Sequence, residues 1–239
     1  MSSLEIALLI AVVTAAGCVQ ASIGFGMALI AAPILVMIDP RLVPGPLLAS
    51  AFVLVLLVAI RDRSHVDFGT VRFSMAGNAV GALTGAAVIA LLEPRGYAIL
   101  FGLLVLLGVA LSAMGLRVAV SRGLALGAGL LGGFMSATSS IGGPPMALVY
   151  QHEGAERFRG TLSAYFVFST VVSVAALAWF GRFGWQELRL AGILIPGQIV
   201  GFALSFPMTR VLRGHSIRPF ILGLSSLAAI VLLVRVLLL

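Results

Sequence analysis

The decisive stretch of this chain reads Ser22-Ile23-Gly24-Phe25-Gly26-Met27-Ala28-Leu29, and it returns as Ser140-Ile141-Gly142-Gly143-Pro144-Pro145-Met146-Ala147-Leu148 with one residue inserted. Both copies lie inside long apolar stretches. Gly and Pro interrupt a helix there, at the place where a membrane would demand a continuous one. Broken helices at corresponding positions of two halves are typical of the binding site of a membrane transporter.

The composition indicates an all-α polytopic membrane protein. Of the 239 residues, 61% are hydrophobic and 10% are charged, whereas soluble domains carry about 25% charged residues. The first and fifth apolar segments are too long for one span and contain the broken motif, whereas the other six fit single helices. We predict eight segments: residues 4–38, 43–60, 70–92, 97–116, 122–151, 159–180, 186–208 and 217–238.

The duplication extends beyond the motif. The two motif copies start 118 residues apart, and Gly77-Asn78-Ala79-Val80-Gly81 returns as Gly197-Gln198-Ile199-Val200-Gly201 after 120 residues. Gly102-Leu103 returns as Gly223-Leu224. A shift of half the chain predicts two transmembrane repeats, residues 1–118 and 119–239, within one membrane domain.

The arginines indicate how the repeats are oriented. All fifteen basic residues are Arg, and the net charge is +7. If all eight segments cross, the arginines divide almost evenly between the two sides. If the first and fifth segments are re-entrant hairpins, ten arginines share one side, which the positive-inside rule places in the cytoplasm. These ten are Arg61, Arg63, Arg72, Arg117, Arg122, Arg157, Arg159, Arg210, Arg213 and Arg218. Each repeat then has three full crossings, and an odd number makes the repeats inverted.

The breaks are also the candidate binding site. Gly24, Gly26, Gly142 and Gly143 let a ligand approach the backbone. We expect new helices to begin near Gly26 and Pro144, with Ser139 or Ser140 close to the cap of the second. Two helix N-termini that face each other would bind an anion without any formal charge.

Polar side chains near the breaks extend this candidate site. The hydroxyl groups of Ser22, Thr138, Ser139 and Ser140 suit sulfonate, sulfate or carboxylate oxygens, and their alternative role is capping or bonding to their own helix. Asn78 and Gln198, paired by the repeat, and Gln20 lie deep in apolar segments. They line the substrate path or, as the alternative, form hydrogen bonds between helices. Gly81, Gly85, Gly102 and Gly108 are interpreted as sites of close helix packing.

Several functions are disfavoured by what the sequence lacks. Every Asp and Glu lies at a terminus, in a loop or at a segment end, which disfavours a proton antiporter based on carboxylates. We find no spacing for metal ligands, no nucleotide-binding loop and no catalytic set, so we expect no enzyme activity and no cofactor. A basic helix suited to nucleic acid is missing too. An anion channel, a facilitative carrier and a scaffold subunit remain alternatives, and the sequence leaves open whether the protein forms a homodimer.

The motifs resemble those of a known family. Gly24-Phe25-Gly26 followed by Pro33, and Gly142-Gly143-Pro144-Pro145, resemble the two repeat signatures of the sulfite exporter TauE/SafE family, also called TSUP. The resemblance covers the whole chain and implies an exporter of small organosulfur or other organic anions, such as sulfite or sulfoacetate, in the bacterial inner membrane. It places substrate at the two breaks, including Phe25 and Pro144. Because the first copy lacks the paired prolines, the two sides of the site are not expected to be equivalent.

Overall fold

The computed structural model describes residues 1–114, 120–212 and 218–238. Within these ranges the chain is helical and contains no strand, which confirms the predicted all-α class. Arg117 and Arg213 lie outside the described residues, as does the expected boundary between the repeats. The ten α-helices are α1 (Ser3–Ile23), α2 (Met27–Ile38), α3 (Gly45–Arg61), α4 (Phe68–Leu91), α5 (Pro94–Met114), α6 (Arg122–Ser139), α7 (Gly143–Tyr150), α8 (Ala155–Trp179), α9 (Trp185–Leu212) and α10 (Arg218–Leu238).

The lengths of the helices suit a membrane. Five helices, α1, α4, α5, α8 and α9, are long and apolar enough to cross a bilayer, and α2, α3 and α10 contain shorter apolar runs. Large apolar side chains such as Leu83, Leu103 and Ile199 are about half exposed on the outside of the bundle. Lipid covers a surface of this kind, because a contiguous apolar area of this size is unfavourable in contact with water. The protein is therefore a multi-pass membrane protein.

The first and fifth predicted segments are both broken, as expected. Helix α1 ends at Ile23 and α2 begins at Met27, whereas α6 ends at Ser139 and α7 begins at Gly143. Each pair of helices stays in contact across its break, α1 with α2 and α6 with α7. The breaks therefore lie inside the bundle, between packed helices.

Helices from the two halves of the chain pack against each other through glycine. Helix α4 contacts α6 closely, and α1 contacts α9. A Cβ atom at Gly81 would overlap with the Leu130 carbonyl group, and one at Gly201 would lie 2.7 Å from the Thr14 carbonyl oxygen. The predicted packing role also holds at the other three positions, because a Cβ at Gly85, Gly102 or Gly108 would lie 2.6–3.3 Å from atoms of another helix. Small residues allow this backbone contact, which van der Waals attraction stabilises in a membrane.

Two sets of polar contacts mark the two ends of the bundle. At one end, called here the Asp62 end, the connection between α3 and α4 meets the start of α8. Arg159 pairs with Asp62, Arg157 with Asp67, and His65 with Glu156. This end therefore joins segments that are nearly a hundred residues apart in the chain.

At the opposite end, called here the Val43 end, the connection between α2 and α3 meets α5. The Tyr97 hydroxyl donates a hydrogen bond to the Val43 carbonyl at 3.2 Å. Nearby, hydrogen bonds from Arg41 hold the pKa of the Asp39 carboxyl group below its usual range. Leu42 and Val43 are buried, so apolar side chains fill this end of the bundle.

We predict that Gly129→Ala destabilises the protein and that Gly127→Ala, on the same helix, does not. A Cβ at position 129 would overlap with the Ser74 carbonyl group, whereas a Cβ at position 127 meets nothing within 4 Å. The new Cβ would meet backbone atoms, which cannot move aside as a flexible side chain can. We therefore expect Gly129→Ala to lower the free energy of unfolding by about 1–3 kcal/mol. Thermal unfolding of the purified protein in detergent measures both effects. Equal melting temperatures for the two variants would contradict the close contact between α4 and α6.

Candidate substrate-binding site

The first break depends on two glycines with left-handed backbone. Gly24 ends α1 with φ of 106°, and Gly26 precedes α2 with φ of 110°, a region that side chains disfavour. The side chain of Gln20 then reaches across the break, where its Oε1 accepts a hydrogen bond from the Met27 N–H at 3.1 Å. Gln20 therefore satisfies one of the free N–H groups at the start of α2.

The second break uses a serine and two prolines instead. Ser140 ends α6 in the left-handed region with φ of 64°, and Gly142 precedes the first residue of α7, Gly143. Pro144 and Pro145 occupy the first turn of α7, where their missing N–H groups cost nothing. This asymmetry between the breaks was expected from the sequence.

Ser139 and Ser140 lie close to the N-cap of α7, Gly142, as expected, but neither side chain caps α7, because both residues complete α6. The Ser139 hydroxyl donates to the Met135 carbonyl at 2.8 Å, and the Ser140 hydroxyl donates to the Pro44 carbonyl at 3.1 Å. The physical reason is the proline pair, which leaves a capping hydroxyl few N–H groups to bind. Ser140 instead ties the second break to the segment that fills the Val43 end.

The two breaks meet at a small space, the central cavity, with a volume of about 40 Å³. Residues at the N-termini of both α2 and α7 border it, and none of the described residues that line it carries a charge. The space holds about one water molecule. Its polar lining comprises Gln20, Ser136, Ser140 and Thr170, and the predicted residues Gly26, Gly142, Gly143 and Pro144 line it as well.

A much larger cavity, the vestibule, measures about 1010 Å³ and opens at the Asp62 end. Predicted residues Ser22 and Phe25 line its wall, together with Leu148 of α7 and the start of α8. The vestibule and the central cavity share three lining residues, namely Gly26, Leu29 and Pro144. These three therefore form the partition between the vestibule and the central cavity.

A cluster of charged side chains borders the vestibule, and sequence reasoning missed it. The Asp62 carboxylate accepts hydrogen bonds from Arg61 and, at 3.1 Å, from the Nε of Arg159. The side chains of Arg61, Asp62 and Arg159 are only 20%, 9% and 14% exposed, respectively, and together they carry a charge of +1. The sequence assigned these arginines to loops, since no periodic pattern brings the end of α3 to the start of α8. The only available signal was the density of charge in Arg61-Asp62-Arg63 and Arg157-Phe158-Arg159.

Five of the predicted site residues do not line either cavity: Gly24, Asn78, Thr138, Ser139 and Gln198. The Asn78 amide donates to the Tyr165 and Ser169 hydroxyls at 2.8 Å each, and the Gln198 amide donates to Met27 and Ser50. These are the hydrogen bonds between helices that the sequence offered as the alternative. Thr138 bonds to carbonyl groups of its own helix.

The amide side chains of Asn78 and Gln198 nevertheless lie next to the residues that line the central cavity. Gln198 contacts Met27, which lines the cavity. Asn78 reaches Ser169, whose hydroxyl donates to Ser136 at 3.3 Å, and Ser136 lines the same cavity. Both amides therefore help to position residues that line the central cavity.

Two broken helices that meet at a small cavity, within a bundle of membrane-length helices, define an integral membrane transport protein. Comparison with known families specifies the class further. Residues 9–232 match the family described as Sulfite exporter TauE/SafE, and the chain belongs to this family of membrane transporters. No curated protein and no solved structure matches the chain.

We predict that Gly24→Ala destabilises the protein more than Gly26→Ala. Both substitutions place a side chain on left-handed backbone, which costs about 1–2 kcal/mol. At position 24 the new Cβ would also lie 3.1 Å from Arg159 Cγ, whereas at position 26 the nearest atom is 3.8 Å away. Thermal unfolding of both variants in detergent measures the difference. A Gly24→Ala protein as stable as the wild type would contradict this geometry of the break.

Proposed function

We propose that the protein is a secondary transporter that exports a small organosulfur or other organic anion, such as sulfite or sulfoacetate, across the bacterial inner membrane. One observation carries the proposal: the N-termini of α2 and α7 border the same uncharged cavity. Each helix N-terminus carries roughly half a positive charge, and together they suit a single anion. Membership of the sulfite exporter family supports the same class of substrate.

The other groups in the central cavity suit an oxyanion. The hydroxyl groups of Ser136 and Thr170 line the cavity as possible donors, that of Ser140 becomes a donor to a ligand only when it releases Pro44, and Gly143 lets a ligand approach the backbone. No carboxylate among the described residues lines this cavity to repel an anion. Since the volume holds about one water molecule, the cavity must widen before an anion such as sulfite occupies it.

We also propose that residues 1–118 and 119–239 are inverted repeats. The contacts of the first half have counterparts in the second, since α1 packs on α9 as α6 packs on α4, and α2 packs on α10 as α7 packs on α5. The ends of the bundle give independent support. Arg159 lies beside Arg61 through their shared partner Asp62, an arrangement expected for re-entrant first and fifth segments and not for eight full crossings.

Alternating access follows from these repeats. The vestibule opens at the Asp62 end, which the positive-inside rule assigns to the cytoplasm. The Val43 end is filled by Leu42 and Val43 and tied by hydrogen bonds from Tyr97 and Ser140. We infer that this is an inward-facing state and that outward opening requires Ser140 to release Pro44.

Cysteine labelling tests the orientation, because Cys18 is the only cysteine in the chain. In a Cys18→Ala background, we expect an impermeant maleimide to label Leu148→Cys, in the vestibule, from the cytoplasmic side only. The matched variant Arg95→Cys, at the start of α5 near the Val43 end, should react from the periplasmic side only. Labelling of both variants from one side would contradict the proposed orientation of the vestibule.

Transport by purified protein in liposomes tests the function. We expect wild-type protein to move sulfite with saturation, and Gly143→Ala to lower the rate at least about tenfold, the effect of roughly 1.4 kcal/mol. The methyl group narrows the central cavity but lies 3.4 Å from Phe166, an ordinary contact that leaves folding intact. Gly127→Ala, which meets nothing, is the control.

The same assay separates the alternatives. A flux that rises linearly with sulfite and never saturates would indicate a channel. Wild-type liposomes that move neither sulfite nor sulfoacetate, with protein shown to be folded, would overturn the proposal. A wild-type rate of sulfite transport in Gly143→Ala would show that the central cavity does not lie on the transport path.

A further inference from the structure

We propose that Arg159 is the residue that binds the substrate anion in the vestibule, before the anion reaches the central cavity. This inference rests on the proposed function and adds a second binding position for the same substrate. It begins with the charged residues that line the vestibule, two arginines, Arg157 and Arg159, and two carboxylates, Glu153 and Glu156, of which Glu156 contacts His65. Arg157 is half exposed and pairs with both Asp67 and Glu153, so its charge is already compensated.

The guanidinium group of Arg159 donates hydrogen bonds from only one of its three nitrogens among the described residues. Its Nε donates to Asp62 at 3.1 Å, and within the described part of the chain its two terminal nitrogens donate no hydrogen bond. The side chain is 14% exposed, and Arg159 lines the vestibule, so these nitrogens are within reach of a solute there. A planar fork of N–H groups in such a place suits an oxyanion, which it binds through two parallel hydrogen bonds.

Asp62 pairs with both Arg61 and Arg159 at 3.1 Å, so one carboxylate is shared by two guanidinium groups. Arg61 is fixed in this role: it donates to the Ala21 carbonyl at 2.7 Å and to the Ser205 hydroxyl at 3.2 Å. The aromatic rings of Phe202 and Phe206 lie within 5.7 Å of its guanidinium carbon. The cluster therefore keeps one uncompensated positive charge, and Arg159 is the member that faces the vestibule. An anion in the vestibule would provide this second arginine with the carboxylate-like partner that Asp62 alone cannot supply to both.

The position of Arg159 connects this charge to the transport path. The side chain packs against Gly24 at the first break, where a Cβ would meet Arg159 Cγ at 3.1 Å. The inner end of the vestibule is the partition formed by Gly26, Leu29 and Pro144. An anion held by Arg159 therefore waits beside the break that leads to the central cavity.

The sizes of the two cavities agree with this order of binding. The central cavity, at about 40 Å³, has no room for an organic anion in this conformation. The vestibule, at about 1010 Å³, has ample room. In the inward-facing state, the vestibule is thus the place where substrate from the cytoplasm binds.

The test compares Arg159→Gln, Arg159→Lys and the control Arg63→Gln in sulfite transport by proteoliposomes and in the rise of melting temperature with added sulfite. Arg63 is exposed at the same end of the bundle and lines neither cavity. We expect Arg159→Gln to raise KM for sulfite at least about tenfold, as the loss of charge-assisted hydrogen bonds predicts. The stabilisation by sulfite should disappear too. Arg159→Lys keeps the charge without the fork, so its KM should lie between those of the wild type and Arg159→Gln.

The two measurements distinguish binding from a structural role. If Arg159 only supports Asp62, Arg159→Gln lowers the melting temperature without sulfite and the maximal rate, but leaves KM unchanged, and this result would overturn the inference. If Arg159→Gln does not fold, Arg159→Lys decides, and a wild-type KM in that variant counts against the inference. Wild-type protein that neither binds nor moves sulfite or sulfoacetate defeats the proposed function itself, a failure visible without any variant.

Discussion

A helix that breaks inside a membrane must satisfy its backbone from within the protein, since lipid offers no hydrogen bonds. The structure meets this requirement at both breaks with nearby groups. The Gly24 N–H donates to the Gln20 carbonyl at 2.7 Å, the Ser140 N–H donates to the Ser136 carbonyl at 2.8 Å, and the Gln20 amide oxygen serves Met27. The glycine contacts between α4 and α6 and between α1 and α9 then enclose both breaks in protein.

Positive potential takes two forms along the proposed path. At the vestibule it is a formal charge, shared by Arg61, Asp62 and Arg159, near the surface of the bundle. Deeper, at the central cavity, it is the partial charge of two helix ends with no ionised group beside it. A formal charge at that depth would be costly to bury, and it would also hold an anion too firmly for release. On the proposed path, the weaker partial charge of the helix N-termini thus lies at the position from which the substrate must be released.

The sequence was informative where a local rule applied and silent where distant segments meet. Gly24, Gly26 and Pro144 located both breaks, because they lie in the two apolar segments that are too long for a single span, where closely spaced Gly and Pro interrupt a helix. The contact of Arg159 with Asp62 joins residues 97 positions apart, and no periodicity encodes it. The roles of Ser139 and Ser140 stayed open in the sequence, because a hydroxyl between two helices can bind a ligand, cap the next helix or bond to its own. The buried amides Asn78 and Gln198 were located by the repeat, but their partners were not.

The hydrogen bond from Ser140 to Pro44 has a consequence for the transport cycle. One side chain both lines the central cavity and fastens the segment that fills the Val43 end. Opening of the Val43 end therefore requires a rearrangement of the wall of the central cavity. In the proposed cycle, an anion that takes the Ser140 hydrogen bond would loosen the opposite end of the bundle, so that binding and opening are mechanically coupled through one side chain.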